Sequence, residues 1–271
     1  MKSNQKVAFI TGCSSGMGRE SARYLSQNGY TVYAGSRTPE KLSDIASPNL
    51  HPIKLDVTDA ASVAHALEGI DRIDVLVNNA GYGLVSTVEE VTEEEMLSQF
   101  EVNVFGVLRM CRYVIPLMRR QNDGVIINIS SFLGKIGLPL FTFYNASKYA
   151  LEGITDSLRY ELEEFNIRVH SIMPGFFDTN FARDNLVVNA SLLKENSPYA
   201  KTVSRLVPLI SEQINHGNDA SEIARMILEI AEKSDVPARQ TAGDKARKFI
   251  PMRRELSDED FERRVKSYYG I

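Results

Sequence analysis

Short runs rich in valine and isoleucine recur along this chain with amphipathic stretches between them, and that alternation narrows the available folds more than any other feature. The runs fall at residues 7–10, 31–34, 52–55, 73–77, 125–129 and 168–172. Several are apolar at nearly every position rather than every second one, the pattern of strands buried on both faces. The stretches between them, at about 17–28, 39–46, 60–67, 93–120 and 144–165, repeat their apolar residues with a helical period. Strand and helix in alternation predict an α/β fold, a doubly wound parallel sheet with helices on both faces. A seventh strand is expected near 239–242, and a further helix near 220–231.

The first run ends in Thr11-Gly12-Cys13-Ser14-Ser15-Gly16-Met17-Gly18, and a helical pattern follows at once. Strand, glycine turn and helix are the context of a dinucleotide-binding turn, and they make the sheet Rossmann-like. Glycines let the backbone approach a pyrophosphate, and the helix N-terminus offers it free N–H groups and partial positive charge.

A length of 271 residues suits one such domain, with an irregular substrate-lid insertion at about 176–218 and a charge-rich tail at about 238–271. Ser257 with Asp260 three residues on reads as the cap of a last helix, and the tail as a solvated helix face. A net charge of -4 gives no nucleic-acid footprint. Two cysteines, Cys13 and Cys111, suit a reducing cytoplasm and read as packing residues. The apolar part of the N-terminus is too short for a signal peptide, and no run is long enough to span a membrane. His51, His65, His170 and His216 lack ligand spacing, so no metal is expected. The strand-to-helix turn lacks the elbow of a serine hydrolase.

Past the second run the chain reads Tyr33-Ala34-Gly35-Ser36-Arg37. An acid usually stands there to grip the ribose 2′-hydroxyl of NAD. Here Ser36 takes its place and Arg37 follows, and a guanidinium suits the 2′-phosphate of NADP(H). Further on, Asn78-Asn79-Ala80-Gly81 closes the fourth run, and Tyr144-Asn145-Ala146-Ser147-Lys148 opens a helix after Asn128-Ile129-Ser130-Ser131. Tyr144 and Lys148 lie one helical turn apart on one face.

With these motifs, in this order, the chain resembles the short-chain dehydrogenase/reductase family from about Lys6 to Phe181. Its glycine turn and the segment from Val32 to Arg37 are most similar to the 17-beta-hydroxysteroid and retinol dehydrogenase branch. The resemblance implies an oxidoreductase that moves a hydride between NADP(H) and the carbonyl or alcohol carbon of a small, apolar substrate. It implies that Tyr144 is the general acid/base. Lys148 depresses the tyrosine pKa and holds the nicotinamide ribose. Ser131, rather than its neighbour Ser130, bonds the substrate oxygen. Asn103 completes the tetrad by interrupting its helix and holding a water that leads to the lysine. The cofactor would lie against Gly12, Ser14, Ser15, Gly16, Met17 and Gly18, with Arg37 at its phosphate. Asp56 and Val57 would meet the adenine, Asn79, Ala80 and Gly81 the adenosine half, and Pro174, Gly175 and Thr179 the nicotinamide. Many NADP-dependent members carry a basic residue before the middle glycine, where this chain has Ser15. An apolar pocket is expected from Phe176, Phe177, Phe181, Leu186 and Val187, with Leu133, Leu138, Phe141 and Phe143. The family's habit implies a homodimer or homotetramer formed through helices 93–120 and 144–165. A non-catalytic NADP(H)-binding redox sensor is the alternative reading, and the intact Ser131, Tyr144 and Lys148 speak against it.

Overall fold

The computed structural model of the chain describes residues 5–179, 185–194 and 196–271. Seven strands make the central sheet: β1 (Val7–Thr11), β2 (Thr31–Ser36), β3 (Leu50–Lys54), β4 (Val75–Asn78), β5 (Gly124–Ile129), β6 (Ile167–Pro174) and β7 (Arg239–Ala242). Every neighbouring pair is parallel, in the order β7-β6-β5-β4-β1-β2-β3. The order reverses between β1 and β4, which opens a crevice beyond their carboxyl ends, the place where such sheets bind ligands. Pro52 lies in β3, at the sheet edge, where a missing N–H is tolerated.

Alternation along the strands feeds two cores. Ala8 and Ile10 face one side with Ala22 and Leu25 of α1 (Gly16–Gln27) and Ile223, Ile227 and Ile230 of α7 (Ser221–Glu232). Phe9 faces the other, with Met110, Val114 and Met118 of α4 (Gly106–Gln121) and Leu151, Leu158 and Leu162 of α5 (Thr142–Leu162). The shorter α2 (Ala60–Ala66) is capped by Asp59. A full capping box of Thr92 and Glu95 starts α3 (Glu93–Phe100).

Four segments differ from the sequence reading. The helix expected at 39–46 is a 3-10 turn, Pro39–Leu42, and the Lys41 carbonyl accepts from the Arg19 guanidinium at 2.6 Å. The long helix at 93–120 is broken by a π-helical segment, Glu101–Phe105, that contains Asn103. The irregular stretch holds a sixteen-residue helix, α6 (Ala200–Asn215), which Pro208 in its middle disguises. Its buried stripe, Val203, Leu206, Ile210 and Ile214, has helical spacing. The tail is not a solvated face. Helices α8 (Gly243–Glu255) and α9 (Asp258–Tyr269) bury Phe249, Phe261 and Tyr269 in a third core with Phe132, Leu206 and Ile210. Ser257 does cap α9, accepting from the Asp260 N–H at 3.1 Å. Among the described residues no helix is long and apolar enough to cross a membrane.

Candidate active site

At the switch point β1 and β4 are pinned to each other by side chains. Thr11 Oγ1 accepts from the N–H groups of Asn79 (3.0 Å) and Ala80 (2.9 Å), and Asn79 Nδ2 donates to the carbonyls of Thr11 (2.9 Å) and Gly12 (3.1 Å). Gly12 turns at φ +71°, and a Cβ there would stand 2.7 Å from the Ala80 Cα, so the two loops meet only because residue 12 is glycine. Below them a buried relay ties β4 to β5 and α5. Asn78 donates to Asn128 at 2.9 Å, and Asn128 to Thr155 at 2.9 Å.

Over this junction runs a cleft of about 1050 Å³. Gly12, Ser14, Ser15, Gly16 and Met17 line its floor with Asn79, Ala80 and Gly81. Arg37, Asp56 and Val57 line one end, and Tyr144, Lys148 and Thr179 the other. Gly18 lies beneath the floor, where a Cβ would come within 2.3 Å of Asn79 Nδ2. Asp56 also serves its own turn, since Oδ1 accepts from the Thr58 N–H (2.9 Å) and hydroxyl (2.7 Å). Ser36 is buried and its Oγ accepts from the Thr38 N–H at 3.1 Å. Arg37 is exposed, and no described residue hydrogen-bonds or pairs with its guanidinium. Lys41, which the sequence reading passed over, lines the same end of the cleft.

Past Tyr144 the cleft meets a small apolar chamber of about 60 Å³, lined by Ser131, Pro174 and Gly175 with Phe132, Leu133, Phe141, Phe176, Phe177, Leu186, Ile210 and Ile214. Val187 lines the cleft instead. Leu138 packs in the third core, Phe143 is buried, and neither borders the chamber. Phe181 lies outside the described residues.

Tyr144 stands at the meeting of cleft and chamber. Burial pushes its phenol up to about 12, and a hydrogen bond with Ser131 pulls it back. Ser131 Oγ also accepts from the Leu133 N–H at 3.1 Å, which fixes the side chain at the start of a 3-10 turn. The neighbouring Ser130 Oγ is buried without a partner. Lys148 is buried, donates to the Ile129 carbonyl at 2.8 Å, and holds its Nζ 5.7 Å from the centre of the Tyr144 ring. Burial draws this ammonium down to about 8, against the pull of the Glu152 carboxylate. The resemblance implied a phenol depressed by its lysine. In the protein alone, burial raises the phenol, and the hydrogen bond with Ser131 is what opposes it.

Asn103 sits where the π-helical segment widens the turn, a deformation that often marks functional positions. Its side chain clamps residue 82, accepting from the Tyr82 N–H (3.1 Å) and donating to the Tyr82 carbonyl (3.0 Å), and it reaches Ser147 Oγ at 3.1 Å. Gly81 separates Asn103 from Lys148. A Cβ there would lie 3.2 Å from Asn103 Oδ1 and 3.8 Å from Lys148 Nζ. Sequence reasoning also missed Gln99, fully buried in α3, which spans the Leu84 N–H (2.7 Å) and the Tyr82 carbonyl (2.9 Å).

Residues 6–188 match the family model described as short chain dehydrogenase. The chain belongs to the short-chain dehydrogenase/reductase family. It is 36% identical to a 3-ketodihydrosphingosine reductase of Bacteroides thetaiotaomicron, over 98% of each chain. Among solved structures, a short-chain dehydrogenase from Streptomyces avermitilis superposes with a TM-score of 0.83 at 33% identity, covering 99% of this chain and 97% of that one. One from Burkholderia cenocepacia in complex with NADP gives 0.75 at 27% identity over 99% of both chains. One from Burkholderia phymatum in complex with NAD gives 0.79 at 26% identity over 97% and 96%. Members of this family thus bind either nucleotide on this fold.

Proposed function

We propose that the chain moves a hydride between NADP(H) and the carbonyl or alcohol carbon of an apolar substrate, with Tyr144 giving or taking the proton. The observation that carries this reading is the position of Tyr144. It is hydrogen-bonded to Ser131, one helical turn from Lys148, at the mouth of an apolar chamber where a dinucleotide-sized cleft ends.

The residues present fit the cofactor. The glycine turn packs directly against Ala80 and Asn79, where Cβ atoms at residues 12 and 18 would collide, and the N-terminus of α1 opens onto the cleft with its unpaired N–H groups. When bound, the nicotinamide supplies or accepts the hydride. The protein's part is proton handling and orientation. Ser131 and Tyr144 hydrogen-bond the substrate oxygen. As the carbonyl is reduced, the Tyr144 hydroxyl gives its proton to the nascent alkoxide. In oxidation the phenolate takes the alcohol proton. Lys148 favours that phenolate and holds the nicotinamide ribose hydroxyls. Asn103 fixes the loop that carries Gly81. Pro174, Gly175 and Thr179 hold the carboxamide end, and the chamber excludes water from the reacting atoms.

Ser36 and Arg37 support NADPH over NADH. Lys41 supplies a second cation at that end of the cleft, in place of the basic residue that Ser15 replaces. Changing both Arg37 and Lys41 to alanine is expected to weaken NADPH binding about a hundredfold, because each removes charge-assisted hydrogen bonds to phosphate. NADH binding should stay within about threefold, read by nucleotide fluorescence titration. Equal losses for both nucleotides would contradict the assignment.

The activity is tested by NADPH consumption with the purified protein and a panel of carbonyls: aliphatic, aromatic, steroidal, retinoid, and the long-chain 3-ketodihydrosphingosine that names the relative. Consumption that depends on one class supports the enzyme. Tight NADPH binding with consumption at the blank rate for every class would favour the sensor reading instead.

We also propose pairing of two copies through α4 and α5. Leu108, Tyr113, Tyr149 and Tyr160 are exposed along these helices, and Phe105 just before α4, more apolar surface than solvated helix faces usually carry. Light scattering at micromolar concentration should give a mass of at least twice 30.3 kDa, and a monomer mass would overturn the proposal.

A further inference from the structure

Glu152 lies on α5 one turn beyond Lys148, and its burial has no counterpart in the reaction described above. Its side chain is only 3% exposed. Oε2 meets Arg239 Nε at 2.6 Å and Lys135 Nζ at 3.4 Å, while Oε1 is buried without a hydrogen-bond partner. A carboxylate in that state is costly, since half of its acceptor capacity is removed from water and left unused. Tying β7 to α5 does not require it. Asp156, one turn further and about half exposed, already pairs with the same Arg239 guanidinium.

The neighbouring charges supply a reason for the burial. Lys148 is an ammonium removed from water with one backbone carbonyl as its hydrogen-bond acceptor. The charged groups around Glu152 are Lys148 and Asp156 on its own helix, Arg239 on β7, and Lys135 on the segment after Ser131. Without the Glu152 carboxylate, three cations would share this interior with Asp156 alone.

We infer that Glu152 is a positioning residue for proton transfer, a buried anion, paired with Arg239 and Lys135, that keeps Lys148 in its ammonium form. The inference rests on the roles given to Lys148 and Tyr144 above. Glu152 is four residues from Lys148 and eight from Tyr144, about 6 Å and about 12 Å along the helix axis. It therefore acts on the phenol through the lysine rather than directly. The sign follows. Removing the anion lets Lys148 lose its proton at lower pH, the phenol loses its neighbouring cation, and phenolate forms at higher pH.

The test is a titration of Lys148 in the cofactor-free protein by nitrogen-15 NMR of the lysine side chains, with its signal identified by its loss in Lys148→Met. Glu152→Gln should lower the Lys148 midpoint by about one pH unit or more. Glu152→Asp, which keeps the charge, should leave it within about 0.3 of the wild type. Lys135→Met, a change at a partly exposed side chain, should raise it, because a competing cation is gone. With NADP and an alcohol, the rise of oxidation rate with pH should move to higher pH in Glu152→Gln alone. An unmoved Lys148 midpoint in Glu152→Gln would overturn the inference and leave Glu152 a structural tie. Should that variant fail to fold, a Lys135→Met midpoint that stays or falls would do the same. The NMR midpoints do not depend on catalysis, so a failure of the proposed activity would be seen separately.

Discussion

Tyr144→Phe is expected to lower turnover by about three orders of magnitude or more, with NADPH affinity held within about threefold. The substitution removes one oxygen and keeps the ring that packs edge-on against Phe141, 6.3 Å away between centroids. Proton donation by a positioned acid contributes roughly a hundred- to ten-thousandfold to such reactions. Here water is a poor substitute, because the phenol is buried between Ser131 and an apolar chamber. Fold and stability should change little, since Ser131 Oγ keeps its bond to the Leu133 N–H. Steady-state kinetics and nucleotide titration on the same preparation read both halves of the prediction. Wild-type turnover in the variant would remove Tyr144 from the mechanism.

Lys148→Met is expected to move activity and stability in opposite directions. Turnover should fall about a hundredfold or more, because the phenol loses the cation one turn away. Stability should rise. The lysine sits at about 8 in the fold against 10.5 ordinarily. Between those values the unfolded chain binds more protons than the folded one, so stability climbs as pH rises from about 8 toward 10.5. Below pH 8 the fold carries the full cost of the buried ammonium, roughly 3 kcal/mol. Methionine removes that cost but leaves the Ile129 carbonyl unpartnered, a loss of about 1 kcal/mol. The balance predicts a melting temperature roughly 5 °C above the wild type at pH 7, with the gap closing at alkaline pH. A variant less stable than the wild type at pH 7 would contradict this account of the site.

What the sequence showed of this site was what lies close together along the chain. The glycine turn, Tyr144 with Lys148, and Ser131 at the end of its strand are each set by local spacing. The strands were legible for a similar reason, since residues buried on both faces leave an uninterrupted apolar run. Interactions between distant segments were not legible. Gln99 reads as one more polar residue in an exposed helix, yet it is fully buried because the loop after Gly81 needs its amide. Lys41 reads as a surface lysine, and only the fold brings it to the cleft beside Arg37. The Arg19 guanidinium that meets the Lys41 carbonyl beside the 3-10 turn is twenty-two residues away in the sequence. Helix α6 carries a stripe of Val203, Leu206, Ile210 and Ile214 at helical spacing, with Pro208 inside it. Tertiary packing against the tail helices outweighs the one backbone bond that proline removes. The tail itself misled because its charges are dense, while Phe249, Phe261 and Tyr269 recur on the one face that packs.

The central claim is that a hydride and a proton meet at one substrate carbonyl beside Tyr144. Its most direct test uses NADPH carrying deuterium on the reactive carbon, the best carbonyl from the panel, and mass spectrometry of the product. The account predicts one deuterium at the new alcohol carbon, with labelled alcohol formed about a thousandfold more slowly by Tyr144→Phe than by the wild type. An alcohol without deuterium, or labelled alcohol formed equally fast by the two proteins, would contradict it.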